Sequence, residues 1–441
     1  MSTARGLHRG TFALSIVTVG ALVLAGCGTA TQTPAPAASE SSYAGELDVR
    51  VYADWPFVQT NAEEFMKLHP EANIKVGAID NDTLRQSGGR LFLSNDAPDV
   101  ISYTLAQDLF SQWVKAKAVL PVDDVWQANG LQQTTPESVA TSSTGQDGQK
   151  YAVPLGLTIA PILYYNSKAW EQAGATIPND KNLFGSLDEF NESLAKVKAA
   201  GLTPMAVTGG SLAPLAFNSL FPSACGDGYQ AISENFTKGA TASYTDPCIV
   251  KALSTFDGWV KNGYIEDGLP GQTQQSTQAL FENEKAGSWL QGSWTPPVFT
   301  PSFEYDWALL PSLSAVESPL PAAPDSFLIP AKAKNPTLAK AFIGFMTEKS
   351  TLEMGMGRVP AQSGLDLDKV VKGNKLEAAL AEAATSGSHN VIPIWDTVAP
   401  ASVVTALHND VVPGMVNGSM TPEQGAARLQ AVVEEFRASN G

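Results

Sequence analysis

Basic residues, histidine and cysteine are all scarce in this chain. Lys and Arg number 28 against 44 Asp and Glu, a net charge of −16. That balance excludes nucleic acid and anionic membrane surfaces as natural partners. Charged residues make up only 16% of the total, so recognition falls to neutral polar and aromatic groups. Of four histidines none is spaced with a cysteine in a zinc pattern, and no metal or other cofactor is expected. There is no G-x-S-x-G elbow, no P-loop and no H-E-x-x-H. A Ser-His-Asp triad would have to draw on His69, His389 or His408, and no local signature supports one. Also missing is a run of about 20 apolar residues, the length of a membrane span. The nearest approach, 11–25, is short and interrupted by Thr, Ser and Gly.

What is present begins at the amino end. Arg5, His8 and Arg9 precede the apolar run, which closes in Leu24-Ala-Gly-Cys27. A basic region, a short apolar region and small residues form the layout of a secretory signal. LAGC resembles the bacterial lipobox, which implies that Cys27 is acylated and becomes the new amino terminus; the alternative is an ordinary signal with a chance cysteine. Residues 28–45, rich in Thr, Ala, Pro and Ser, have the composition of a flexible tether. The expectation is a signal over 1–27, a tether over 28–45, and a body held by lipid alone at the outer face of the bacterial cytoplasmic membrane. With 44% hydrophobic residues the body has a real core, and it is long enough for two domains. In an oxidising exterior the remaining cysteines, Cys225 and Cys248, favour a disulfide, two free thiols being the alternative.

Strand and helix signals alternate along the body. Residues 47–52, 74–79 and 99–103 read as strands, separated by helical patterns over 57–68 and 82–93. This βαβαβ opening predicts a mostly parallel sheet with both faces covered. Ser186-Leu-Asp-Glu189 is a capping box, and Asp246-Pro247 an N-cap followed by proline at the first helical position. A strand is expected over 326–329, after the proline-rich 319–324. The alternation breaks and resumes more than once, which suggests α/β lobes that share the chain discontinuously.

Several phrases together resemble family 1 of the extracellular solute-binding proteins, the carbohydrate-type receptors of ABC importers, which include the maltodextrin-binding proteins. They are Ala97-Pro-Asp-Val-Ile-Ser-Tyr103, Leu163-Tyr-Tyr-Asn166 with Trp170-Glu-Gln-Ala-Gly174, the capped helix from Ser186, Phe281 to Trp294, Lys334-Asn-Pro336 with Ala339-Lys-Ala-Phe342, and Met420-Thr-Pro-Glu. The resemblance implies a two-lobed α/β periplasmic-binding-protein-like fold with hinge strands and a ligand in the cleft. The lobes are expected at 46–157 plus 323–365 and at 158–322 plus 366–441. It further implies a monomeric, non-catalytic receptor that passes a mono- or oligosaccharide to the permease subunits of an ABC transporter. Two departures stand out: Ser288-Trp289 lies where small residues and Met are commoner, and Ala-Ala-Pro-Asp-Ser precedes Phe327 in place of a glycine-rich stretch.

A sugar presents apolar C–H faces and a fringe of hydroxyls, so its site needs an aromatic platform beside carboxylates and amides. Strand ends supply candidates, since ligands in open α/β sheets sit beyond the carboxyl edge. Asp54 and Trp55 follow the first strand; Tyr103 ends the third, and Gln107, with Asp108 beside it, lies in the next loop. Asp325 stands at an inter-lobe crossing and Arg358 in Gly357-Arg-Val-Pro360. Trp395 and Asp396 match the family's carboxyl-terminal aromatic that closes over ligand. In Ala286-Gly-Ser-Trp-Leu-Gln-Gly-Ser-Trp294, read as one strand, the two tryptophans point to opposite faces. Trp289 is assigned to the core and Trp294 to the ligand, with Gly292 letting the ligand come close. Two other functions fit the composition: a lipid-anchored glycoside hydrolase, which needs only two carboxylates, and a receptor for a non-sugar polar solute.

Overall fold

The computed structural model describes residues 43–440 apart from 54, 210–214, 235–239, 297, 298 and 300. Cys27, the signal and most of the tether lie outside the described residues, as does Asp54. No helix among the described residues is long and apolar enough to cross a membrane.

The strands are β1 (Gly45–Val51), β2 (Ala72–Ala78), β3 (Val100–Thr104), β4 (Val153–Ile159), β5 (Ile162–Asn166), β6 (Thr203–Val207), β7 (Ala286–Gln291), β8 (Tyr305–Ala308), β9 (Leu320–Leu328) and β10 (Val391–Pro393). They form two sheets. One runs β10-β9-β3-β1-β2, with β4 also on β9; the other runs β6-β7-β5-β8. In β1, Leu47, Val49 and Val51 are buried at every second residue, the period that lets a strand give one face to a core. β4 and β5 are buried at every position, as strands covered on both faces are. Helices begin where their caps require. Asp80 accepts from the Thr83 N–H at 2.7 Å ahead of helix Asn81–Phe92, and Ser186 from the Glu189 N–H at 3.1 Å ahead of helix Leu187–Ala199.

The sheets are more mixed than the opening βαβαβ pattern predicts. β1, β2 and β3 run parallel, but β9 lies antiparallel between β3 and β4, and in the second sheet β5 opposes both β7 and β8. β9 returns from the second sheet to the first, which reverses its direction. It also starts at Leu320, well before 326. The prolines that argue against a strand there contribute carbonyls: Pro324 accepts from the Leu105 N–H and Pro321 from the Ala160 N–H, both at 3.1 Å.

Each sheet carries its own core. Leu47, Val49, Phe65, Phe327 and Phe342 pack around the first, while Trp170, Leu194, Phe217, Phe256 and Trp259 pack around the second. The chain passes between them from β4 through Ala160-Pro161 into β5, and returns along β9. Beyond β9, Val370 and Val371 join the first core, Leu380 and Ala381 a third cluster beside the crossing strands, and Trp395, Val403 and Leu429 the second core. Cys225 and Cys248 are joined in a disulfide with a Cα–Cα distance of 5.0 Å. It ties the end of helix Phe217–Cys225 to the first turn of helix Pro247–Lys261.

Candidate ligand-binding site

The carboxyl ends of β1, β2 and β3 open onto a cavity of about 600 Å³ between the two sheets. Tyr52 and Ala53 follow β1, Ile79 and Asp80 follow β2, Thr104 ends β3, and Arg85 reaches in from helix Asn81–Phe92. Thr158, Ala160 and Arg358 line it where the chain crosses. Leu215, Asn218, Gln274, Trp294, Ile394, Asp396 and Thr397 close it from the second lobe.

At the crossing a buried carboxylate organises three elements. Asp325 of β9 is fully buried. Its Oδ1 accepts from the Thr104 hydroxyl at 2.6 Å, and its Oδ2 from the Thr158 hydroxyl at 2.7 Å and from Arg358 Nη2 at 2.9 Å. The Arg358 guanidinium lies 5.3 Å over the Trp55 ring. A planar fork held by a carboxylate and an indole face keeps one orientation, so the side that meets the cavity is pre-set.

Trp294 is placed as tightly. β7 ends at Gln291, and the tryptophan sits in the turn that follows. Tyr164 donates to the Gly292 carbonyl at 3.0 Å, the Ile159 N–H donates to Ser293 Oγ at 3.0 Å, and the Ser293 N–H donates to the Ile159 carbonyl at 2.9 Å. These bonds pin the turn to β4 and β5. A Cβ on Gly292 would lie 2.0 Å from the Trp294 ring. The glycine therefore makes room for the indole itself, not for an approaching ligand as its sequence context suggests. The half-buried ring then lines the cavity. Trp289, inside β7, is 1% exposed; it packs on Phe281 and Phe299 and donates to Thr277 Oγ1 at 3.1 Å.

On the second lobe the Asp396 N–H donates to Asn218 Oδ1 at 3.2 Å. Burial pushes the Asp396 carboxyl up in pKa, while the Arg85 guanidinium and the Asn218 amide draw it back. Arg85 belongs to the first lobe and its charge is also felt at His408 of the second. It makes no hydrogen bond or ion pair with the described residues. A guanidinium, a carboxyl, an amide and an indole thus face one another across the gap, able to hydrogen-bond and stack on a neutral polyhydroxylated molecule. Among the described residues no group of three or more His, Cys, Asp or Glu is placed to hold a metal.

Of the residues expected at the site, Trp294, Arg358 and Asp396 line the cavity. Asp325 and Trp55 stand behind Arg358 as its supports. Tyr103 is fully buried against Trp113, ring centroids 4.8 Å apart. Gln107 donates from Nε2 to the Ser142 carbonyl at 3.1 Å, off the cavity wall. Trp395, expected to close over a ligand, is turned into the second core and donates to the Tyr244 hydroxyl at 2.9 Å. Its short helix, Trp395–Val398, sends the next residue to the cavity instead. Tyr52, Arg85, Thr104, Thr158, Asn218 and Gln274 also line the cavity and are not among the residues that the sequence points to. Arg85 carried a signal, lying one turn into a capped helix that follows a strand; Asn218 and Gln274 carried none.

A family model described as bacterial extracellular solute-binding protein matches residues 56–351. The chain is 23% identical to an uncharacterised ABC transporter extracellular-binding protein of Pyrococcus horikoshii, over 97% of this chain and 92% of that one. Among solved structures, a chitin oligosaccharide binding protein superposes with a TM-score of 0.75 at 22% identity, covering 90% of this chain and 99% of that one. The bacterial solute receptor AcbH, described as having an exclusive preference for β-D-galactopyranose, superposes with a TM-score of 0.77 at 18% identity, covering 89% and 99%.

Proposed function

The chain belongs to the family of bacterial extracellular solute-binding proteins, and on that premise we propose that it is the receptor of an ABC importer for a mono- or oligosaccharide. It captures the sugar without chemical change between its two lobes, as a monomer, and delivers it to the permease subunits. Acylation of Cys27 and the tether after it hold the body at the outer face of the cytoplasmic membrane. The observation that carries the sugar reading is the Trp294 indole, pinned at the cavity wall by the 292–294 turn, opposite donors and acceptors from both lobes. An indole face suits the C–H face of a pyranose, and Arg358, Arg85, Asn218 and Asp396 suit its hydroxyls. The relatives' descriptions as binding proteins for an ABC transporter, for chitin oligosaccharide and for galactopyranose support the same class.

Titrating the chain lacking residues 1–27 with a panel of sugars, followed by tryptophan fluorescence, tests the reading. Saturable binding with the sugar recovered intact is expected. Shortened sugar in the chromatogram would replace the reading with hydrolysis. Binding of an amino acid, polyol or phosphate ester in place of any sugar would keep the receptor and overturn its substrate. For the anchor, Cys27→Ser is expected to abolish acyl labelling of the full chain; unchanged labelling would refute it.

A further inference from the structure

Away from the cavity wall, one side chain of the first lobe caps a helix of the second. Asp108 lies in helix Gln107–Lys115, whose Phe110 and Trp113 are buried with the first sheet. Its Oδ2 accepts from the Ala401 N–H at 3.0 Å, and its Oδ1 accepts from Gln112 Nε2 at 2.8 Å. Ala401 opens helix Ala401–Ala406, which buries Val403 and Val404 in the second core. The first N–H groups of any helix lack partners within it and must be met by water or by groups from elsewhere. Pro400 carries no side-chain acceptor, and no side-chain cap is made locally. The acceptor for the Ala401 N–H comes from the opposite lobe, held in position by Gln112. Separation of the lobes would break this bond and return the N–H and the carboxylate to water.

We propose that Asp108 is a ligand-independent clasp that sets how much of the empty receptor is closed, and through that population its affinity and dwell time for whatever the cavity takes. A binding-competent state that is only partly populated lowers apparent affinity by that fraction. A bond to a charged acceptor that forms only on closure raises the fraction. Asp108 is a positioning residue: it is not on the cavity wall, so its effect is the same for every ligand. The proposal rests on the reading of the cavity as a cleft that closes over a solute, but its primary test needs no solute.

Spin labels on the full chain at Lys75→Cys in the first lobe and Lys196→Cys in the second report the distance between lobes in the empty protein. Asp108→Ala is expected to shift that distribution to longer distances. Asp108→Asn, which keeps an acceptor for the Ala401 N–H, is expected to retain most of the parent distribution. An unchanged distribution for Asp108→Ala, in protein whose melting temperature shows it folded, overturns the clasp whether or not a sugar is found. With any sugar that binds, Asp108→Ala is expected to raise Kd by roughly three- to thirty-fold, mainly through faster release. An equal factor for all sugars supports the clasp. Loss confined to one sugar would make Asp108 a ligand contact and refute it.

Discussion

Replacing Asp325 by alanine takes one shared acceptor from three buried donors at once. The Thr104 and Thr158 hydroxyls lose the acceptor they approach at 2.6 and 2.7 Å, and Arg358 loses a carboxylate at 2.9 Å. Both members of the pair are shielded, with side chains 4% and 0% exposed, so water cannot simply take over. Breaking a buried pair from one side costs about 3–5 kcal/mol, and each stranded hydroxyl adds about 1 kcal/mol. The Trp55 face that Arg358 keeps offsets about 1–2 kcal/mol. The net expectation is a loss of about 4 kcal/mol, a large share of the 5–15 kcal/mol typical of a folded protein. Urea unfolding followed by near-ultraviolet circular dichroism measures it. Asp325→Asn, which retains an acceptor, should fall about midway. Asp325→Ala combined with Arg358→Met removes the buried charge that has lost this carboxylate and should recover at least half of the loss. Since Arg358 lines the cavity, the double variant should stay folded and yet bind sugar poorly. A loss below about 1 kcal/mol for Asp325→Ala, or a double variant no more stable than the single, would refute the view that this carboxylate exists to hold Arg358.

The two tryptophans of the β7 segment should respond in opposite ways. Trp294→Ala is expected to weaken sugar binding by roughly 1 kcal/mol or more with little change in melting, and Trp289→Ala to cost about 3–5 kcal/mol of stability; the reverse pattern in paired titration and unfolding curves would reject the assignment. Glu377, on helix Lys375–Thr385, is fully buried with neither carboxyl oxygen bonded to a described residue, and burial pushes its pKa up to about 8 against the pull of Arg358. Its contribution is complete below the unfolded value near 4.5 and drains away as pH rises through 8. Glu377→Gln should therefore gain about 3 kcal/mol on the parent between pH 4 and pH 7, and parallel melting curves over that window would count against it. Replacing Cys225 and Cys248 by serine opens a loop of sequence separation 23 and should lower stability by about 3 kcal/mol, read as a lower urea midpoint with a steeper slope, because the unlinked chain unfolds to a more open state.

Local chemistry explains which of these features were legible in advance. Period-two burial in β1, the caps at Asp80 and Ser186, and the Asp246-Pro247 helix start all act over a few residues, so neighbours in sequence suffice to read them. The early start of β9 is not legible locally because proline is a poor strand former on average; its carbonyls meet Leu105 and Ala160, partners more than a hundred residues away in the chain. Trp395 and Asp396 show the same limit at the site. Both were candidates, but a single helical turn sends the indole to the core and the carboxyl to the cavity. The smallness of Gly292 is plain in the sequence, but only the folded turn shows that the room is for Trp294.

Sequence alone determined the class of the protein: the scarcity of cations, the signal-like start, the strand–helix alternation and the strings of family-like phrases all point to an extracytoplasmic α/β receptor. Those are properties of composition and short-range order. Tertiary structure decided which side chains share the cavity. Arg85, Asn218 and Gln274 come from three separate helices, and the Asp325–Arg358 pair and the Asp108–Ala401 contact join residues 33 and 293 positions apart. A site between two lobes is made of non-local contacts, and such contacts are set by how the sheets pack, which no short stretch of chain encodes.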